Sequence, residues 1–261
     1  MPLRVHVDLP LATGDDLPLP EDAARHVQVV RLQPGDALVL FDGRGGEWDA
    51  TVRAMGRRDV SVDVLAHRAV DRELPFTATI ALGMPANERM DFLVEKATEL
   101  GVAAIQPLQL TRSVLKLSGE RADKRVAHWQ AVAVGAAEQS GRTRVPRVEP
   151  VRTLAAWLAT WGSDAATPPT AERRHVMSTG DAPGLATRLA ADVAATGAPG
   201  APRPLHFVAL SGPEGGLTHD EEALAARHGF LPISLGPRIL RADTAPLAWL
   251  AQLGIAGAMT T

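Results

Sequence analysis

Three stretches of the sequence combine residue types and spacing that suit chemistry. The first is Leu210-Ser211-Gly212-Pro213-Glu214-Gly215-Gly216, at the end of an apolar run that begins at His206. Glycines and a proline this dense after a buried strand make a loop whose backbone a ligand can approach closely. The second is Leu235-Gly236-Pro237-Arg238-Ile239-Leu240-Arg241-Ala242-Asp243-Thr244-Ala245. Two arginines among apolar residues suit an anion or a bent ligand. Asp243 stands where a helix starts and can equally be a plain N-cap. The third is Glu138-Gln139-Ser140-Gly141-Arg142-Thr143-Arg144, which ends a long helical stretch in a basic turn. Positive charge there also simply complements a helix C-terminus.

Several chemistries are absent. No G-x-G-x-x-G follows a strand, which argues against a Rossmann dinucleotide site, and no Walker A motif is present. The turn Asp42-Gly43-Arg44-Gly45-Gly46 lacks the P-loop Lys-Ser/Thr and reads as a hairpin turn. A glycine loop before a capped helix can hold phosphate, but Glu214 would repel it. There is no H-E-x-x-H pair and the histidines are scattered, so no metal site is expected. Cysteine is absent, which removes disulfides, thiolate nucleophiles and Cys-ligated clusters. No serine sits in a G-x-S-x-G elbow.

The net charge of −3 excludes a globally basic nucleic-acid binder. Locally the balance differs: residues 112–147 are basic, whereas residues 1–72 are acidic. Of the 27 cationic residues only Lys96, Lys116 and Lys124 are lysine. Arginine suits bidentate phosphate contact and stacking, although so broad a bias also follows from genome composition. The basic middle is the better pointer to RNA or DNA.

The elements that must position these stretches fall into two patterns. A length of 261 residues allows one large domain or two smaller ones. Residues 1–72 read as short strands with turns: Arg4–Asp8, Asp36–Phe41, Glu47–Arg53 and Val60–Leu65, with a short helix over Pro20–Arg31. That is a small β-barrel pattern. From residue 75 strands alternate with helices. Strands are expected at Phe76–Leu82, Ala103–Leu108, His175–Ser178, His206–Leu210 and Leu231–Leu235. Helices are expected from Asn87 to Leu100, over 120–140, Thr153–Trp161, Leu185–Ala195, Thr218–His228 and from about Ala242 to Ala258. Alternation of this kind gives an α/β domain over 75–261 with a parallel sheet covered on both faces. Ligands then bind beyond the carboxyl ends of the strands, where the first two stretches lie. The stretches 162–170 and 196–204, rich in Pro, Gly and Ala, are expected to be flexible loops. The start of the chain has no apolar signal core, and Pro246–Thr260 is too short to span a bilayer, so a cytoplasmic protein with no membrane partner is expected.

The three stretches, with Arg89–Gly101 and Arg25–Asp36, resemble the bacterial 16S rRNA (uracil-N3)-methyltransferases of the SPOUT superfamily. The resemblance runs from about Arg4 to Ala245, and the last two motifs in this order are its most specific part. One departure is Asp243, where the family usually has Glu. The resemblance implies a PUA-like RNA-binding barrel followed by an α/β domain with a deep trefoil knot, its cofactor loops over about 205–245. It implies S-adenosylmethionine as cofactor, 16S rRNA or the assembled small subunit as partner, and a homodimer with the site near the subunit interface. Leu210, Gly212, Leu235, Ile239 and Leu240 would box the adenine, with Ser211, Pro213, Gly215, Gly216 and Gly236 completing the cradle. Arg142 or Arg241 would stabilise the anionic uracil, and Asp243 and Glu138 are the candidate bases. Arg4, His26 and Arg31 would contact RNA from the small domain, joined by Arg112 and Arg144 of the basic segment. The competing readings are another SPOUT enzyme acting on tRNA or a ribose 2′-oxygen, or a non-enzymatic RNA-binding assembly factor.

Overall fold

A computed structural model describes residues 2–14, 16–86, 88–161, 172–196 and 206–258. The flexible loops expected at 162–170 and 196–204 fall almost wholly outside the described residues, as does the expected helix cap Asn87. The chain divides into two compact units: Met1–Glu73 with Val134–Val145, and Leu74–Ala133 with Pro146–Thr261.

In the first unit the elements are β1 (Leu3–His6), β2 (Asp16–Pro18), α1 (Glu21–Val29), β3 (Ala37–Phe41), β4 (Glu47–Met55) and β5 (Val60–Arg68). The expected small barrel is a five-stranded sheet in the order β1-β3-β4-β5-β2. Alternation along β4 and β5 sends Ala50, Val52, Val60, Val62 and Val64 inward, where they meet Val5, Leu38, Leu40 and the Ala24 and Val27 face of α1. The strand β2 carries only three residues and escaped the sequence pattern.

Buried among these hydrophobes is Glu47, 1% exposed. Three guanidiniums answer it: Arg4, Arg68 at 2.9 Å and Arg72 at 3.2 Å. Burial pushes the Glu47 carboxyl up, but the Arg72 and Arg4 hydrogen bonds outweigh that and hold it below its ordinary value. The segment 134–145, which a reading by sequence order assigns to the second domain, is sewn onto this unit. Arg72 Nη1 donates to Gly141 O at 2.8 Å and Arg4 Nη2 to Arg142 O at 2.8 Å. Gly45 N donates to Thr143 O, Val145 N to Gly43 O, and Arg44 bridges Arg144 in antiparallel fashion. The hairpin turn 42–46 is therefore a pairing edge for the residues that follow the long helix.

The second unit contains β6 (Thr77–Gly83), α2 (Glu88–Glu99), β7 (Ala104–Gln109), the start of α3 (Glu120–Ser140), β8 (Arg147–Val148), β9 (Arg152–Thr153), α4 (Leu154–Leu158), β10 (Glu172–Met177), α5 (Leu185–Thr196), β11 (His206–Ser211), α6 (His219–Arg227), β12 (Leu231–Ile233) and α7 (Thr244–Ala258). The sheet runs β12-β10-β11-β6-β7-β8, with β9 also on β7, and every pairing is parallel. Its strands are buried on both faces, as the continuous apolar runs require. Ile80 and Leu82 pack with Met90, Leu93, Trp129, Trp249 and Leu250 on one side. Val208 and Leu210 pack with Leu154, Trp157 and Phe230 on the other. The strand β12 stops at Ile233, two residues before its expected end, which leaves Leu235 in the following loop. No described helix is long and apolar enough to cross a membrane.

Removing the Glu47 carboxylate leaves three arginines facing a buried gap. Glu47→Ala should destabilise the first unit by about 3–5 kcal/mol in denaturant melts at neutral pH. Because the folded pKa of Glu47 is lowered, its contribution is present above the ordinary glutamate pKa and is lost as pH falls through the folded value. The gap between wild type and Glu47→Ala should therefore shrink in acid.

Candidate active site

The carboxyl ends of the adjacent strands β10, β11 and β12 open into a cavity of about 920 Å³. Three loops wall it: 178–182 after β10, 212–217 after β11 and 234–242 after β12. The first and third are zipped together, since Ser178 N donates to Ile233 O, Ser234 N to Pro183 O and Leu185 N to Ser234 O. Gly236 turns the third loop at φ +108°, a conformation that side chains other than glycine rarely adopt.

The glycine loop folds on itself. A Cβ on Gly212 would lie 2.8 Å from the backbone of Gly216 and Leu217, and Gly216 sits at φ +70°. A Cβ on Gly83, at the end of β6, would lie 2.7 Å from Pro213. Two further contacts clamp the loop. Arg112 Nη1 donates to Gly215 O at 2.8 Å and to Leu217 O at 3.0 Å. Glu214 accepts from Ala86 N at 3.3 Å and lies 3.6 Å from Arg89. Behind the loop, Thr218 and Glu221 form the expected capping box of α6. Glu221 also accepts from Thr111 N at 2.8 Å. Burial raises its carboxyl, but the backbone N–H groups of Thr111 and Thr218 prevail and leave it below its ordinary value.

Most of the expected cofactor residues converge here: Ser211, Gly212, Pro213, Gly215, Gly216, Leu235, Gly236, Ile239 and Leu240 all line the cavity, as does Arg241. Leu210 does not. Its side chain is fully buried in the core beneath, because strand alternation turns it away from the loop end. Ile239 is 85% exposed, at the cavity mouth rather than within a closed box. Asp243 does not line the cavity; its one described partner is the Thr244 hydroxyl at 3.5 Å. The N–H groups of Thr244 and Ala245 at the start of α7 are satisfied by Arg241 O, and the Asp243 side chain makes no described capping bond. Arg112, expected on RNA, lies at the cavity with Nη1 on loop carbonyls. Arg89 and the loop 178–182 were not anticipated; the latter's Ser-Thr-Gly-Asp-Ala-Pro run is a turn signal, but only the sheet order brings it beside β11 and β12.

The other expected residues lie in the first unit. The Arg142 guanidinium is buried and faces Glu73, with Nε 3.1 and 3.2 Å from the two carboxylate oxygens. Glu138 accepts from His6 N at 2.9 Å and lies 3.3 Å from His26 Nδ1. Both residues hold the segment 134–145 in place within this unit. Arg4, expected on RNA, is buried on Glu47. His26 is partly exposed, whereas Arg31 and Arg144 are exposed. Arg31 holds φ +62°, the only positive φ of a non-glycine among the described residues.

The fold is a five-stranded β unit and a parallel α/β unit with a ligand-sized cavity at its strand ends, and the comparisons give the class. A family model described as an RNA methyltransferase domain matches residues 72–254, and one described as an RNA methyltransferase PUA domain matches 19–65. Ribosomal RNA small subunit methyltransferase E of Synechocystis sp. is 34% identical over 87% of this chain and 68% of its own length. The protein of the same name from Bacillus subtilis is 31% identical over 89% of this chain and 87% of its own. The crystal structure of such a methyltransferase from Neisseria gonorrhoeae, bound to S-adenosyl methionine, superposes with a TM-score of 0.83 at 32% identity, covering 98% of each chain. The chain belongs to the ribosomal RNA small subunit methyltransferase E family.

The backbone-on-backbone packing at Gly212 leaves a side chain nowhere to go. Gly212→Ala should lower stability by about 1–3 kcal/mol. Gly215→Ala should cost less, because its Cβ would meet only the Arg112 side chain, at 3.0 Å. Thermal melts of the two variants check the order.

Proposed function

We propose that this chain methylates N3 of a uridine in 16S rRNA with S-adenosylmethionine held among the three loops. The observation that carries this reading is the convergence of loops 178–182, 212–217 and 234–242 on one cavity. The residues fit the cofactor. It has no phosphate, and Glu214 at the glycine loop disfavours one. Leu235, Ile239 and Leu240 offer apolar surface for an adenine, and the glycine loop offers backbone without side-chain obstruction. The volume is that of a small-molecule site.

When bound, S-adenosylmethionine supplies a methyl group already activated on a sulfonium. The chain has then to hold the uracil in line, and orientation of this kind is worth roughly 7–11 kcal/mol. Uracil N3 lies on the Watson–Crick edge, so the base enters unpaired or turned out of its stack. Arg241 lines the cavity and pairs with no carboxylate among the described residues, and its guanidinium stabilises the uracil as its N3 proton leaves. Arg31, His26 and Arg144 serve as RNA contacts. The strained, exposed backbone at Arg31 supports its part in this, since such strain collects at functional positions.

A second copy of the chain is the expected partner, in the cytoplasm where ribosomes assemble. The helix α7 carries no charged residue, its Ile255 is 63% exposed, and Phe92 on the neighbouring α2 is 50% exposed. A helix apolar around most of its circumference calls for a covering surface. The trefoil knot implied by the resemblance, over about 205–245, belongs to the same reading and is an exception to the rule against threaded loops.

Purified protein, S-adenosylmethionine and small ribosomal subunits from a strain lacking the enzyme should yield 3-methyluridine on nucleoside mass spectrometry. Arg241→Ala should lower kcat about 10²–10³-fold with cofactor affinity retained. A different methylated nucleoside would contradict the uracil-N3 reading, and no methylation at all would contradict the activity.

A further inference from the structure

Four guanidiniums line the cavity, those of Arg89, Arg112, Arg238 and Arg241. They are not equivalent. Arg89 is answered by Glu214 at 3.6 Å. Arg238 and Arg241 stand on the loop whose apolar residues suit the adenine. Arg112 stands at the glycine loop, where its described hydrogen bonds run from Nη1 to the neutral carbonyls of Gly215 and Leu217. Its positive charge therefore has no carboxylate partner among the described residues. The missing side chain at Gly215 lets the Arg112 stem lie against the loop, since a Cβ there would come within 3.0 Å of Arg112 Cβ. Asp181 and Glu222 also line the cavity, so this region carries both signs of charge.

The methionine part of S-adenosylmethionine is a zwitterion, with the cofactor's single anion, a carboxylate, at the end remote from the adenine. We propose that Arg112 is the carboxylate-binding residue of the cofactor site. This sets the cofactor's direction in the cavity: adenine toward Leu235–Leu240, amino-acid end toward Arg112 and the glycine loop. Through Nη1 the same guanidinium holds the loop in shape, so the ligand's charge and the wall that contains it share one residue. The inference rests on the reading of the cavity as a S-adenosylmethionine site. It takes Arg112 from the RNA surface, where its place in the basic segment had put it.

The test compares S-adenosylmethionine with its decarboxylated analogue by titration calorimetry on wild type, R112Q, R112K and R238Q. Wild type should prefer the carboxylated ligand. R112Q should weaken it by about ten- to a hundredfold more than it weakens the decarboxylated ligand, the loss of one charge-assisted hydrogen bond. R112K keeps the cation and should keep most of the preference, which also covers the case in which R112Q folds poorly. An equal loss of both ligands in R112Q and R112K would reduce Arg112 to a shaper of the loop and overturn the proposal. So would a collapse of the preference in R238Q instead, or intact ligand binding in R112Q with weakened rRNA binding. Failure of wild type to bind either ligand would overturn the cofactor reading itself.

Discussion

The site depends on one steric constraint, the contact of backbone with backbone in the loop 212–217. Gly212 packs on Gly216 and Leu217 at a distance that no Cβ tolerates, and Pro213 packs on Gly83 in the same way. These contacts tuck the loop over the end of β6. From this the rest follows. Leu217 is buried, the helix α6 starts at a capped Thr218, and the Glu221 carboxylate is placed to receive Thr111 N. Glycine is required at Gly212 for close approach and at Gly216 for its dihedral angle.

Buried carboxylates do related work in both units. In the first, Glu47 gathers Arg4, Arg68 and Arg72, and Arg4 and Arg72 reach on to the carbonyls of Arg142 and Gly141. In the second, Glu221 joins the end of β7 to the start of α6. In each case burial alone would raise the carboxyl pKa, and hydrogen bonds reverse the sign. The anions are thus retained at neutral pH because their donors are fixed by the fold. The Glu138–Arg142 motif belongs to the first of these networks, so its residue types answer to packing as well as to function.

The elements were largely legible because strong periodicity wrote them. The alternation in β4 and β5, the apolar runs of β6 and β11, and the Thr218–Glu221 capping pair each follow from local chemistry. The glycine loop and the Leu235–Arg241 loop could be marked as one site because both follow strand ends in an α/β pattern. What escaped was non-local. Nothing near Arg142 in the chain announces Glu73, and nothing near Arg4 announces Glu47, so both arginines looked available to a substrate. The loop 178–182 joined the site only through the strand order β12-β10-β11. Strand alternation, one residue at a time, sends Ser211 to the cavity and Leu210 to the core.

The central claim is that the three loops together hold the cofactor. A crystal structure of the protein with S-adenosylhomocysteine tests it most directly. The account requires the ligand among loops 178–182, 212–217 and 234–242, with its adenine beside Leu235 and Leu240. Ligand bound anywhere else, or loops 212–217 and 234–242 untouched by it, would contradict the account.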